Sequence, residues 1–248
     1  MSKPSDALRH VYEQRGALEY AHVPDSSRAL DRKFERITEV LAELLPCEAL
    51  LDAGCGDGRY LAALRSLGHV PPRVAGTDIA DSILATAASA TDAAGVPAEL
   101  VRANLEELPF EGETFDVILC TQVIEHLLDP IQALRELRRV LRTGGVLLIT
   151  TDHRGNRVSR FLNGPRALLV RLLRVRGHRR RVHFPHRAFE RDEFNGMLRA
   201  AGFSVRRSET FRFHLTDAPT VIQRLLNAID RRLGPHGLGD ILLVVCEA

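Results

Sequence analysis

The chain has 248 residues, enough for one large α/β domain with a modest insertion. Hydrophobic residues make up 45% of it, ordinary for a globular core, and no run reaches the ~18–20 apolar residues of a membrane-spanning helix. The net charge of +2 conceals a segregation that points to a partner. His153 to Phe189 hold eleven arginines, four histidines and no acid, while the rest of the chain sets 23 basic residues against 32 acids.

In chain order, Met1 to Asp6 are polar and lack the apolar region of a secretory signal. Cys47, Cys55, Cys120 and Cys246 are far apart without metal-type spacing, so reduced core thiols and a cytoplasmic location are expected. Residues 1–45 read as a polar helical cap, amphipathic from about Leu30 to Leu45 and stopped by Pro46. Strands and helices then alternate through residues 46–151. Ala49–Ala53, Arg73–Thr77, Glu99–Arg102, Thr114–Thr121 and Val146–Thr151 read as strands. Arg59–Leu67, Asp81–Ala94 and Pro130–Leu141 read as the helices between them. This rhythm with short loops predicts a doubly wound parallel sheet covered by helices on both faces. A basic insertion at 152–187 interrupts it. A helix over Phe189–Ala201, a strand over Phe203–Phe213, a helix over Pro219–Leu233 and a strand over Asp240–Cys246 follow. They predict seven strands in all, with an antiparallel edge, the last strand, added to the parallel sheet. The domain is expected to span 46–248, with the N-terminal cap and the insertion as additions.

Leu50-Leu51-Asp52-Ala53-Gly54-Cys55-Gly56-Asp57-Gly58 is an apolar strand running into three glycines at alternate positions before a helix. Glycine lets the backbone turn sharply and approach a ligand without a Cβ in the way. The following helix offers unpaired N–H groups. A dinucleotide fingerprint needs its third glycine one place later, where this chain has Arg59, so the spacing argues against a pyrophosphate cofactor.

These residues resemble motif I of class I S-adenosylmethionine (SAM) methyltransferases, and the resemblance runs through about residues 47–151. It implies a Rossmann-like fold and a cofactor loop of Asp52, Ala53, Gly54, Cys55, Gly56 and Gly58, with the acid orienting the cofactor's amino group. Asp78, ending Val74-Ala75-Gly76-Thr77-Asp78-Ile79, can accept both ribose hydroxyl hydrogens. In Arg102-Ala103-Asn104-Leu105 the family places an Asp or Asn against the adenine amino group. Phe115-Asp116-Val117-Ile118 and Val123-Ile124-Glu125-His126-Leu127 resemble the fourth-strand block of small-molecule methyltransferases. Ile79, Ala103, Leu105 and Cys120 complete the cofactor contacts that the resemblance implies.

Methyl transfer from a sulfonium needs mainly alignment, and a base only where an alcohol or phenol must lose its proton. His126, past the fourth strand at the carboxyl edge, is the candidate base, with Glu125 beside it. Its bland reading is a helix-start residue bonded to backbone. The segment is similar to ubiquinone-pathway O-methyltransferases, in which Glu-x-x-Glu-His can hold a divalent cation. Gln122 stands here where the first acid would be, which removes one carboxylate ligand and disfavours a metal. His183 and His186 can face the acceptor or simply pack in a loop. Tyr12, Tyr20, Arg28 and Arg36 are candidates to close over the cofactor.

Within the insertion, Arg166, Arg171 and Arg174 share one side of a predicted helix and Leu168, Leu169, Leu172, Leu173 and Val175 the other. Two readings stay open: a lid with solvated arginines, and contact of 160–181 with an anionic membrane at its cytoplasmic face. Clustered arginine also suits RNA. The cluster lacks interleaved aromatics, however, and Thr121-Gln122-Val123-Ile124 stands where base-directed amino methyltransferases show Asn/Asp-Pro-Pro-aromatic, so nucleic acid is disfavoured. A small apolar or glycosylated acceptor, methylated on oxygen, is the expectation; a silent SAM-binding protein would carry the same motifs.

Overall fold

The computed structural model describes Glu13 and residues 31–155, 186–213, 220–234 and 237–248. The amphipathic stretch 160–181, His183, Tyr12, Tyr20 and Arg28 lie outside these described residues.

The described elements are α1 (Arg32–Glu43), β1 (Ala49–Ala53), α2 (Arg59–Ser66), β2 (Arg73–Asp78), α3 (Asp81–Ala94), β3 (Glu99–Arg102) and β4 (Phe115–Thr121). A single 3-10 turn (Ile124–His126), α4 (Pro130–Val140), β5 (Leu141–Asp152), α5 (Arg191–Ala200), β6 (Ser204–Phe211), α6 (Thr220–Leu233) and β7 (Ile241–Glu247) follow. The seven strands form one sheet in the order β3-β2-β1-β4-β5-β7-β6. β1 to β5 pair in parallel, and β7 runs antiparallel to both neighbours, β5 and β6. The expected doubly wound, mostly parallel sheet with an antiparallel last strand is therefore the observed one. The reversed strand is interior, though: β7 is buried from Ile241 through Cys246, and β6 forms the edge.

Alternation along the strands builds two cores. Leu51, Ile118, Cys120, Leu147, Leu242 and Val244 point to the face covered by α4 and α5, where Leu134, Leu137, Phe194 and Leu198 meet them. Leu50, Val117, Leu119, Leu148, Leu243 and Val245 point to the other face, against Ile37 and Leu41 of α1, Leu61 and Leu64 of α2, and Leu84 of α3. Near-continuous apolar strands with both faces covered are what a parallel sheet requires.

Capping follows the sequence. Asp31 accepts the Lys33 N–H at α1, and Asp129 accepts the Gln132 N–H ahead of Pro130 at α4. At α3 the cap comes from far away: the Glu13 carboxylate accepts the Asp81 and Ser82 N–H groups at 2.8 and 3.2 Å. Glu13 thus reaches the carboxyl end of β2, where its carboxylate also suits the helix dipole. The strand that departs most from expectation is β5. It starts at Leu141, not Val146, because Leu141 already pairs with Phe115; the register then shifts before Val117 meets Val146, with Gly144 at φ +78° inside the irregular stretch.

Candidate active site

Chain order reverses between β1 and β4, so the connections leaving these neighbours turn to opposite faces and open a crevice at their carboxyl ends. A cavity of about 240 Å³ lies there. Gly54, Cys55 and Gly56 line it beyond β1, Asp78 and Ile79 beyond β2, and Ala103, Asn104 and Leu105 beyond β3. Thr121, Gln122, Val123, His126 and Leu127 line it beyond β4.

The glycine loop is shaped by hydrogen bonds and close approach. The Gly54 and Cys55 N–H groups both donate to the Thr77 carbonyl, at 2.8 and 2.7 Å. Gly54 has φ +83°, and a Cβ there would lie 2.4 Å from Val123 Cγ2. Gly58 caps α2 at φ +73°, and its Cβ would meet the Ala87 backbone of α3 at 2.9 Å. Gly58 therefore serves helix packing behind the loop and does not line the cavity.

Asp78 accepts the Gly56 N–H on one oxygen at 3.1 Å and the Ala80 N–H on the other at 3.3 Å. Burial nevertheless holds its carboxyl above the ordinary range, against the pull of these N–H groups. Asn104 Oδ1 accepts the Glu106 N–H at 3.1 Å, an Asx turn that fixes the side chain at the cavity wall. Asp52 stands directly before the loop and is wholly buried. Neither of its oxygens has a hydrogen-bond partner among the described residues. Burial first, and then the negative charges of Asp57 and Asp78, push its pKa up to about 8. Asp57 is held by Arg59 at 2.9 Å, and Arg59 reaches Asp31 at 3.3 Å, tying the loop to α1.

Beyond β4, Gln122 adopts a left-handed backbone, φ +57°, rare for a residue with a side chain. His126 ends the 3-10 turn. Its ring lies 5.2 Å, centroid to centroid, from that of His186, whose Nε2 is 2.9 Å from Asp152 Oδ2. Glu125 turns inward: it is buried, accepts the Thr151 hydroxyl at 3.1 Å, and is raised to about 8 by burial and by Asp152.

Asp52, Ala53, Gly58, Cys120 and Glu125 thus stand behind the cavity wall. Cys120 packs in the core under α4, since alternation leaves Thr121 to face the cavity. Arg36 is also elsewhere, bonded to Glu209 at 2.7 Å. Lys33, one turn earlier on α1, lines the cavity instead, with Tyr60, Arg59 and Ile83. Desolvation lowers the Lys33 pKa, with Asp31 opposing it. Among the described residues no cluster of three or more His, Cys, Asp or Glu is placed to hold a metal ion.

Residues 51–149 match the family model described as a methyltransferase domain. A probable S-adenosylmethionine-dependent methyltransferase of Mycolicibacterium smegmatis is 37% identical over 123 residues, covering 50% of this chain and 45% of that protein. A ubiquinone biosynthesis O-methyltransferase of Rhizobium etli is 33% identical over 111 residues, 44% of each chain. Over residues 51–149 the chain is similar to the class I SAM-dependent methyltransferase family. A protein solved in complex with the Haloferax volcanii Trm112 methyltransferase activator shares the fold, with TM-score 0.61 and 19% identity over 90% of this chain and 95% of that one. The chain spans less than half the length of the curated relatives it matches, 39% to 46% of each.

SAM, the family's cofactor, fits the charges at this site. It carries a sulfonium and an ammonium, and the cavity wall offers Asp78 and the Arg59-paired Asp57, with Asp52 buried directly behind the loop. A pyrophosphate would bring further negative charge against these carboxylates, with the Coulomb cost that like charges have in a poorly solvated cleft. The orphaned Asp52 carboxyl is the group most in need of a cation. Each Asp78 oxygen keeps a lone pair for a ribose hydroxyl after serving its backbone N–H.

Proposed function

We propose that the protein transfers the SAM methyl group to an oxygen of a small, apolar or lipid-like acceptor, with His126 as the base. The observation that carries this reading is the placement of an imidazole at the cavity wall beyond β4, backed by His186 and Asp152. SAM supplies an activated methyl group; the chain supplies alignment, exclusion of water and a place for the acceptor's proton. Asp152 holds His186 in one orientation, and the His186 ring limits the rotation of His126. Glu125, neutral at physiological pH and bonded to Thr151, positions the turn that presents His126 and does not itself meet the acceptor. Its carbonyl accepts the Arg187 N–H at 3.0 Å, which ties the end of the basic insertion to the same turn. Leu127 at the cavity, and the exposed Leu128 beside it, favour an apolar acceptor. The relationship to a ubiquinone biosynthesis O-methyltransferase supports oxygen as the accepting atom.

The test supplies methyl-labelled SAM with a panel of phenols, amines and RNA. Label is expected on phenolic oxygen, and His126→Ala is expected to lower turnover about 100-fold or more with SAM affinity nearly unchanged. Undiminished activity in that variant would remove His126 from catalysis. Label confined to RNA would favour the reading suggested by the arginine cluster. No label on any acceptor, with SAM bound, would favour a silent binding protein.

A further inference from the structure

Helix α6 is turned inside out for a helix at the surface of a globular domain. Its buried residues are Asn227 and Asp230. Asp230 takes the Arg32 guanidinium at 2.7 Å and the Arg212 N–H at 2.6 Å. Gln223 donates to the Phe213 carbonyl and to Asn227, both at 3.0 Å. These bonds fix the rotation of the helix with its polar side inward. Val221, Ile222, Leu225, Ile229 and Leu233 consequently face out, between 39% and 71% exposed. At 100° per residue they form one stripe. They are five of the seven large hydrophobics exposed among the described residues, and a sixth, Leu238, follows the helix. Apolar patches of this continuity on a soluble domain mark an interaction surface.

The charges around the stripe identify what covers it. Arg224 and Arg232 are exposed on the helix, and its one acid, Asp230, is buried against Arg32. Among the described residues, the acids of α1 that meet arginines beside the helix are already engaged: Glu35 with Arg231 and Glu39 with Arg36, each at 2.8 Å. A second copy of this chain would set the same arginines against each other, with no acid of α6 exposed between them. The basic insertion would do likewise. A surface of lipid tails under phosphates matches both features, apolar side chains inward and guanidinium groups among the headgroups.

The position of α6 adds to this. It connects β6 to β7, and Phe211, Ile241 and Asp152 meet in register at the carboxyl edge of the sheet, the edge at which the cofactor cavity opens. Arg32, bonded to α6, neighbours Lys33 of the cavity wall. We propose that the outward stripe of α6, with Arg224 and Arg232, docks the protein on an anionic lipid surface with the cavity edge beside that surface. This holds whichever acceptor the site uses, and it names a contact separate from the one expected of 160–181.

The experiment is flotation of the full-length protein with vesicles of phosphatidylcholine alone, and of phosphatidylcholine mixed equally with phosphatidylglycerol. Flotation is expected only with the mixed vesicles and is expected to fall at high salt. Leu225→Ser with Ile229→Ser, and separately Arg224→Ala with Arg232→Ala, are expected to lower the bound fraction about tenfold or more. All four side chains are exposed, so SAM affinity and melting temperature should not move. The proposal is overturned if the wild type stays unbound, or if both variants float as well as it does. It is also overturned if the wild type elutes as a dimer that the serine variant dissolves, because the stripe is then covered by a second copy.

Discussion

Asp52, Asp57 and Asp78 gather around the cofactor loop, and Asp78 and Asp52 each make a separate prediction possible. Asp78 has two N–H partners and room for two more donors, so Asp78→Ala should weaken SAM binding by about 1–3 kcal/mol in calorimetric titration. Unchanged affinity would leave the ribose hydroxyls without their expected acceptor. Asp52 holds its proton up to about pH 8 in the free protein, and a bound cation favours the ionised form. Below pH 8, SAM binding should therefore release a proton and tighten as pH rises. Titration in buffers of different ionisation enthalpy measures that release, and Asp52→Asn should abolish it. The loop residues were legible because glycine spacing reports a local backbone need. Lys33 was not: it arrives from α1, and no local pattern separates it from Arg36, one turn away, which Glu209 holds instead. Cys120 shows the reverse difficulty, since a one-residue alternation decides whether it or Thr121 meets the cavity.

Among elements, the alternating pattern was legible almost to the residue from β1 through β4, whose observed bounds lie within one residue of those read from the sequence. The start of β5 was not, because pairing with Phe115 extends the strand through Gly144-Gly145, a segment that reads as a turn. α6 was legible as a helix but not in its orientation. A hydrophobic stripe ordinarily marks the inner face, and here the long-range bonds of Asp230 override it. Asp230 and Arg32 are both buried, so Asp230→Ala leaves an uncompensated guanidinium and should cost about 3–5 kcal/mol of stability in urea unfolding. Arg231→Ala, at the exposed pair with Glu35, should cost about 1 kcal/mol or less. Equal costs for the two would mean that the buried pair does not anchor the helix. Gly58→Ala should also destabilise the fold, since α2 and α3 approach within van der Waals contact at a left-handed residue.

At the scale of the whole molecule, the sheet gathers two buried acids near one edge, and their titration should govern how stability depends on pH. Asp52 and Glu125 are each raised from the ordinary carboxyl range to about 8, chiefly by burial. In the unfolded chain both ionise from about pH 4 upward; in the folded chain both keep their protons until about pH 8. Between those limits the folded state binds more protons, so its stability relative to the unfolded chain falls as pH rises. Above about pH 8 this contribution levels off, and below about pH 4 it is fully present. SAM reverses part of the trend, because its cationic end favours ionised Asp52 and it binds the folded state alone. At a hundredfold excess over its dissociation constant it adds about 2.7 kcal/mol, and this gain should widen as pH rises from 6 to 8. NAD at the same concentration should add nothing. Thermal melting across that pH range, with SAM, with NAD and without ligand, measures all three curves. Asp52→Asn should flatten part of the free-protein slope, and adding Glu125→Gln should flatten most of the rest. A melting temperature that rises from pH 5 to 8 in the free protein, or one that NAD raises as much as SAM does, would sink this account of the site's charge.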